Sequence, residues 1–337
     1  MNRTEPGRPP TPTSPRKPGP TLSSAPAIDL DGADEALAAL LVALQARNYG
    51  FITPTPETHE RVVARRSGRR AKTLRDVFGW NLPFDPDEID REIAGLLRAS
   101  GFLQDHADGA RSGVRVASLG GLLFLHSPFP TDQPDSVFFG PDTYRFARLI
   151  REEVQASDAP GNAVDIGAGA GAGGILAARL RPRARVRLTD VNPKALRLAR
   201  INAVHAGVAV QVEEGDGLAG VDRPLDLALA NPPYIAGSAG RTYRDGGDMH
   251  GARLSLDWSV QAIERLAPGG RLVLYTGSAI VDGEDALRRA LASACQAHGC
   301  TLRYREIDPD IFGSELARPE YREVERIAAV GAIVIRP

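Results

Sequence analysis

The sequence predicts an α/β fold, a parallel sheet covered by helices, preceded by a smaller, mainly helical module. Three observations carry this. From about Ser136 onward, short runs of Val, Leu, Ile and Ala alternate with stretches of helical periodicity, the signature of βα units rather than hairpins. A glycine-dense turn, Asp165-Ile166-Gly167-Ala168-Gly169-Ala170-Gly171, joins one such run to an Ala/Leu-rich helical stretch. Strand, glycine turn and helix in that order open a nucleotide-binding unit, because a ligand can approach the backbone closely at the helix N-terminus. Third, the apolar run Leu225–Ala230 is followed at once by Asn231-Pro232-Pro233-Tyr234.

The chain as a whole sets few further limits. Its 337 residues give a prior of about two domains, and 42% hydrophobic with 25% charged residues is the composition of an ordinary soluble protein. A formal net charge of −1 gives no global field toward nucleic acid or membranes. There is no run of 18 apolar residues and no apolar core of a secretory signal near the N-terminus, so no membrane partner is expected. Cys295 and Cys300 are the only cysteines. They read as small side chains on or beside a helix, fit a reducing cytoplasm, and have no zinc spacing, so no metal is expected.

Residues 1–28, rich in Pro, Ser, Thr, Gly and Arg, read as a disordered tail, since they bury too little apolar area to order themselves. Residues 29–132 read as a helical, winged-helix-like module that presents substrate. Leu and Ala at helical spacing predict a helix over Ala33–Arg47, with Asp31 and Asp34 as candidate caps. A basic run follows, with Arg61, Arg65, Arg66, Arg69, Arg70, Lys72 and Arg75 uninterrupted by an acid. It fits a solvated face or a strip that tracks a phosphate backbone. Trp80 reads as a core anchor before a base-stacking residue. An acidic start at Asp85 and apolar periodicity to Leu97 predict a second helix. Val114–His126 is one strand or a hairpin turning at Gly120-Gly121.

Residues 133–337 form the larger domain. Pro141-Asp142-Thr143 starts a helix that Tyr144 to Val154 continues. Strands are predicted at Ala163–Ile166, Val186–Thr189, Val208–Glu213, Leu225–Ala230, Arg271–Thr276, Leu302–Ile307 and Ile327–Ile335, with helices near 173–181, 193–206 and 254–267. Ligands of such sheets bind at the carboxyl ends of the strands, and the chemistry-bearing residues fall there in series. The glycine turn ends the first strand. Asp190, 25 residues after Asp165, ends the second and can accept both hydroxyls of a ribose. Asn192 and Pro193 behind it suit a helix cap and first position. Asp216, between Gly215 and Gly217, ends the third and is either a turn residue or an acceptor for the amine of an adenine. Asn231-Pro232-Pro233-Tyr234 ends the fourth. Asn231 offers a side-chain carbonyl, Pro232 fixes the backbone and leaves its carbonyl free, and Tyr234 offers a flat ring. That set suits a planar group bearing an NH2.

From about Ser136 to the C-terminus, this series resembles the class I S-adenosylmethionine-dependent methyltransferases that carry an Asn-Pro-Pro-Tyr motif. The group includes N6-adenine, ribosomal RNA guanine and release-factor glutamine N-methyltransferases. The resemblance implies a Rossmann-like seven-stranded sheet with an antiparallel final pair and S-adenosylmethionine as cofactor. By it, Asp165, Gly167, Gly169 and Gly171 surround the methionine part, Asp190 holds the ribose and Asp216 meets the adenine. Asn231, Pro232, Pro233 and Tyr234 then form the catalytic clamp.

The acceptor nitrogen of such a reaction is a poor nucleophile, its lone pair delocalised into a ring or carbonyl. Two carbonyl oxygens accepting its N–H groups orient the remaining electron density and stabilise the charge that grows on it, and no dedicated base is required. The acceptor read first from the sequence is a nucleobase amino group, most of all in RNA, with DNA beside it. The alternative is a glutamine carboxamide, as in a release factor. Phe138-Phe139-Gly140-Pro141-Asp142-Thr143-Tyr144 lacks the Pro-Arg-Pro-Glu-Thr stretch of that subfamily. A third reading, an NAD(P)-binding oxidoreductase or sensor, uses the glycine spacing but gives no role to Asn231 to Tyr234. The glycine-rich segment 236–253 reads as a lid, in which Arg241 and Arg244 are phosphate contacts or solvated charges and His250 is structural rather than catalytic.

Overall fold

The computed structural model describes residues 30–66, 68–155, 161–221, 224–236 and 246–337. The expected tail, residues 1–28, lies outside these, as do Arg241 and Arg244 of the expected lid.

Helix α1 (Gly32–Ala46) buries Leu37, Leu40, Leu41 and Leu44 on one face. Asp31 is its cap, accepting the Asp34 amide at 2.8 Å. Asp34 is not a second cap; its carboxylate is drawn across to Arg197 at 2.6 Å. Helix α2 (Pro56–Ala64) begins five residues before the basic run and ends within it, which hides its short apolar face. Its signals are the Thr55 cap and Pro56 at the first position. Helix α3 (Leu74–Phe78) carries a Thr73–Asp76 capping box. Helix α4 (Arg91–Ala99) starts later than the acidic stretch at Asp85 suggests. Phe84 is held in a backbone bridge to Ala110, and Asp85 folds back onto the Asp87 amide at 3.0 Å, so Asp90 takes the cap. Trp80 packs edge-on against Phe51 with centroids 5.1 Å apart, as an anchor.

Two hairpins follow, β1 (Leu103–His106) with β2 (Gly109–Ser112) and β3 (Arg115–Leu119) with β4 (Leu122–His126). The second turns at Gly120-Gly121, whose φ values of 61° and 81° are the left-handed pair of a two-residue hairpin loop. After α5 (Pro141–Glu153) come β5 (Gly161–Ile166), α6 (Ala172–Leu180), β6 (Ala184–Asp190), α7 (Pro193–Ala206), β7 (Gln211–Glu214), β8 (Leu225–Ala230), α8 (Arg253–Arg265), β9 (Leu266–Val281), the short β10 (Glu284–Asp285), α9 (Ala286–Ala297), β11 (Thr301–Asp308) and β12 (Arg326–Ile335).

The central sheet runs β11-β12-β9-β8-β5-β6-β7, with β10 turned back on β9. The strands β5 to β9 pair in parallel, and β12 and β11 close the far edge antiparallel. This is the α/β, Rossmann-like seven-stranded arrangement. Val208 to Val210 do not join β7 as expected, because the Val208 amide is spent on the C-terminus of α7, to Ala203 at 3.1 Å behind the left-handed Gly207. Strand β9 runs beyond Thr276 because β12 pairs with it as far as Ile280. Among the described residues, no helix is long and apolar enough to cross a membrane.

The N-terminal module and the sheet share one apolar core, continuous from Leu37, Phe78 and Phe124 to Ile175, Leu229 and Ile333. A fully buried polar side chain ties them together. Asn202 of α7 is fully buried; its Oδ1 accepts the Leu125 amide at 2.8 Å, and its Nδ2 donates to the carbonyls of Leu125 at 3.1 Å and Ala170 at 2.9 Å. Hairpin, helix and glycine turn meet on that one side chain. Asn202→Ala strands three buried backbone groups, so it should lower unfolding stability by about 2–4 kcal/mol. Urea unfolding followed by circular dichroism checks this.

Candidate active site

The parallel register decides where the site forms. Ile166, the last residue of β5, pairs with Thr189 on one side and Ala230 on the other. The residues that follow this row are Gly167, Asp190 and Asn231. Asp190 in turn pairs with Glu214, two residues before Asp216. Nine of the ten residues expected at the site line one cavity of about 1470 Å³ at the carboxyl edge of the sheet; Gly171 does not line it, and its left-handed backbone instead starts α6.

In one half of the cavity lie the glycine turn and three carboxylates. Gly167 has φ 65° and could not carry a side chain, since a Cβ there would stand 2.5 Å from the Trp258 ring. Gly169 has φ 55° with open space before it, a backbone face left bare for a ligand. Its amide donates to Asp190 Oδ2 at 2.8 Å, while Asp190 Oδ1 accepts the Asn192 amide at 2.9 Å. The acid at the second strand end thus holds the turn on the first. Asn192 caps α7 through the Lys194 amide at 3.0 Å. Asp165 is buried beneath the turn and accepts the Gly174 amide at 2.6 Å. Burial pushes its carboxyl up to about 7, against the pull of that hydrogen bond, and the neighbouring Asp190 adds to the rise. Burial raises Asp190 as well. Asp216 is exposed on the cavity wall.

The other half surrounds the clamp. Neither the Asn231 amide group nor the Pro232 carbonyl has a hydrogen-bond partner among the described residues, although both sit at the cavity wall. Tyr234 differs from the expectation of an open stacking face. It is only 8% exposed, meets Phe312 edge-on at 5.8 Å, and lies against Gly277. The more open rings of this half are those of Phe129, Phe138 and Phe312. The chain beyond the clamp is fastened by the Ala236 amide to Tyr321 Oη at 2.7 Å. His250 is tied at the backbone, its carbonyl accepting Tyr321 Oη at 3.4 Å, and its side chain does not line the cavity.

Sequence reasoning missed several cavity residues. Trp258 of α8, Phe312 in the turn after β11, and Asp142 and Arg145 of α5 all line it. So does the N-terminal module, through Thr55, Glu57, Arg61 and Phe129. Glu57 Oε1 accepts Ser314 Oγ at 2.8 Å, joining α2 to the turn after β11 at the rim. Within the basic run, Arg66 pairs with Asp76 at 2.9 Å and Arg70 with Asp85 at 3.4 Å, while Arg61 alone reaches the cavity. No cluster of three or more His, Cys, Asp or Glu side chains suits a metal among the described residues.

Comparison with known proteins agrees with this geometry. Residues 141–297 match the methyltransferase small domain family. A release factor glutamine methyltransferase of Deinococcus radiodurans is 32% identical over 179 residues, covering 52% of this chain and 63% of its own. One from Bradyrhizobium diazoefficiens is 36% identical over 241 residues, covering 65% of this chain and 79% of its own. A ribosomal RNA small subunit methyltransferase C of Pseudomonas entomophila is 38% identical over 133 residues, 40% of each chain. The chain spans about three fifths of the length of the first relatives it matches, 63% and 59% of two of them.

Asp165 gives this site a pH signature. Its native carboxyl stays protonated where the unfolded one, near 3.8, has ionised. The stability of the ligand-free chain therefore falls as pH rises from about 4 to 7. Asp165→Asn should remove that part of the slope, which urea midpoints at pH 5 and pH 8 would record.

Proposed function

We propose that this chain, which belongs to the S-adenosylmethionine-dependent methyltransferases of the small-domain family, methylates the carboxamide nitrogen of a glutamine in a protein. Its methyl donor is S-adenosylmethionine. The half of the cavity at the glycine turn fits that molecule. The bare backbone at Gly169 leaves room for the methionine part. Asp190 has lone pairs left on both oxygens for two ribose hydroxyls, and exposed Asp216 offers an acceptor to the adenine amine. The buried carboxyls of Asp165 and Asp190 suit a cation, whose charge would draw them toward the ionised form.

The single observation that carries the acceptor reading is the sign of charge at the open rim. Glu57, Asp132, Asp310 and Glu315 line it, and among the described residues only Glu315 of these four has an ion-pair partner, Arg318 at 2.8 Å. Among the described residues the exposed cations of the lining are Arg61 and Arg253, and Arg253 is paired with Asp257 at 2.9 Å. A phosphate backbone threaded to the clamp would run past that acidic edge, which repels it. A polypeptide carries no such charge. The names of the relatives from Deinococcus and Bradyrhizobium support the same reading. The RNA reading keeps the name of the Pseudomonas relative and the exposed Arg65, Arg69 and Lys72 beyond Arg61, which have no ion-pair partner among the described residues.

When bound, S-adenosylmethionine supplies a methyl group on a sulfonium, open to displacement in line. The chain's part is orientation. Asn231 Oδ1 and the Pro232 carbonyl each accept one N–H of the carboxamide, which turns the nitrogen's free electron density toward the donor. As positive charge grows on nitrogen, the same two oxygens stabilise it. Pro233 keeps the backbone from relaxing around Pro232, and buried Tyr234 forms the floor. The surplus proton leaves the nitrogen for solvent at the rim.

Asn231→Ala should leave S-adenosylmethionine affinity near normal and lower turnover by about 10²–10³-fold, the loss typical of one such acceptor or donor. Asp190→Ala should show the reverse order, with affinity falling at least about tenfold as two charged hydrogen bonds go. Calorimetry and initial rates separate the two.

The acceptor is tested by labelling extracts of cells that lack this chain with tritiated S-adenosylmethionine and the purified protein. The label should survive nuclease, be released by protease, and be recovered as N5-methylglutamine by mass spectrometry of the digest. Label destroyed by nuclease and resistant to protease would replace this reading with the nucleobase.

A further inference from the structure

The floor of the clamp rests on one buried carboxylate that the sequence gave no reason to single out. Asp142 stands in the first turn of α5 and is 5% exposed. An acid there could serve the helix dipole alone, but its shortest bond leaves the helix. Its Oδ1 accepts the Tyr275 hydroxyl of β9 at 2.6 Å and Arg145 at 3.3 Å. The Tyr234 ring packs against Gly277, two residues from Tyr275 on the same face of β9, and there the charge of Asp142 adds to burial in holding its phenol protonated. Arg145 continues the chain of contacts to Asp308, the last residue of β11, at 2.7 Å. Beyond Asp308 the chain enters the turn that carries Phe312, the ring that meets Tyr234 edge-on.

We propose that Asp142 is a positioning residue for methyl transfer: it sets the tilt of Tyr234 and, through Arg145 and Asp308, the place of Phe312 beside it. The proposal rests on Asn231 to Tyr234 being the acceptor clamp and is indifferent to whether the acceptor is a protein or a nucleic acid. The reason for a carboxylate is geometric. It is an acceptor only, so the Tyr275 phenol and a guanidinium both donate to it and it presents no donor to the neighbouring Tyr234 phenol. A carboxamide at this position brings an NH2 that competes with those donors, and the rings must turn.

The test uses the full chain grown with 3-fluorotyrosine, which labels its seven tyrosines. Tyr234→Phe identifies the Tyr234 resonance in the 19F spectrum. In Asp142→Asn, that resonance and the one from Tyr275 should move while the remaining tyrosines stay, and calorimetric affinity for S-adenosylmethionine should be unchanged. Maximal methyl transfer to protease-sensitive acceptors in the extract should fall by about 10–100-fold, the scale of a small misplacement. Asp142→Glu should restore part of it. In the Tyr234→Phe background, Asp142→Asn should cost clearly less than in the wild type, because only the route through Arg145 and Asp308 remains.

A Tyr234 resonance that stays in place, or losses that multiply in the double variant, would overturn the proposal. If Asp142→Asn does not fold, Tyr275→Phe serves instead, since it removes the shortest bond to the carboxylate without changing charge. It should shift the Tyr234 resonance, and an unmoved resonance is again contrary. Wild-type protein that methylates nothing in the extract would sink the functional reading, while the resonance shift still decides the role of Asp142.

Discussion

Ile166 is paired on both sides, to Thr189 and to Ala230, and the site depends on that row. A parallel ladder with evenly spaced bonds keeps the ends of β6, β5 and β8 level. The next residue on each strand is then fixed beside the others: Asp190, Gly167 and Asn231. A one-residue slip would do more than displace a loop. It would exchange the two buried faces of β5, taking Val164 and Ile166 away from the apolar cluster around Trp258 and Ala262, and Asp165 away from the Gly174 amide. Asp190 adds a lock to the row by accepting the Gly169 amide at 2.8 Å. The acid at one strand end and the glycine turn at the next are therefore one structural unit before any ligand is considered.

The N-terminal module is part of this unit rather than an appendage. Asn202 ties hairpin β3–β4 to α7 and to the glycine turn. Asp34 of α1 reaches Arg197 on the same helix, and Asn192 Nδ2 donates to the Asp135 carbonyl at 2.8 Å. These bonds hold the segment from Phe129 to Phe139 against the sheet, where it becomes one wall of the cavity. Helix α2 then meets the turn after β11 through Glu57 and Ser314. The rim of the cavity is therefore built by two segments that are far apart in sequence.

What the sequence made legible was local. The glycine turn, Asp190 and the Asn-Pro-Pro-Tyr run each follow a strand directly, and alternation of strands and helices places strand ends on one edge. Val114–His126 left a strand and a hairpin at Gly120-Gly121 both open; the structure takes the hairpin, which glycine's freedom at two successive left-handed positions allows. The long-range partners were silent. Nothing near Asp142 points to Tyr275, since their contact spans 133 positions. Trp258 looks like any apolar residue of an amphipathic helix until Gly167 is seen to lie on it. Helix α2 was hidden by its charges, and Asp34 looked like a cap because its true partner lies on α7. Tyr234 was misjudged for a related reason. An aromatic after Pro-Pro suggests an exposed face, but Gly277 on β9 leaves a slot that takes the ring in.

The central claim is that one cavity holds both a donor half, from Asp165 to Asp216, and an acceptor half, from Asn231 to Tyr234. A crystal structure with S-adenosylhomocysteine bound tests it most directly. Both ribose hydroxyls should lie within about 3 Å of the Asp190 carboxylate, with the sulfur turned toward Asn231. A nucleoside seated elsewhere, or a sulfur facing away from Asn231, would contradict the account.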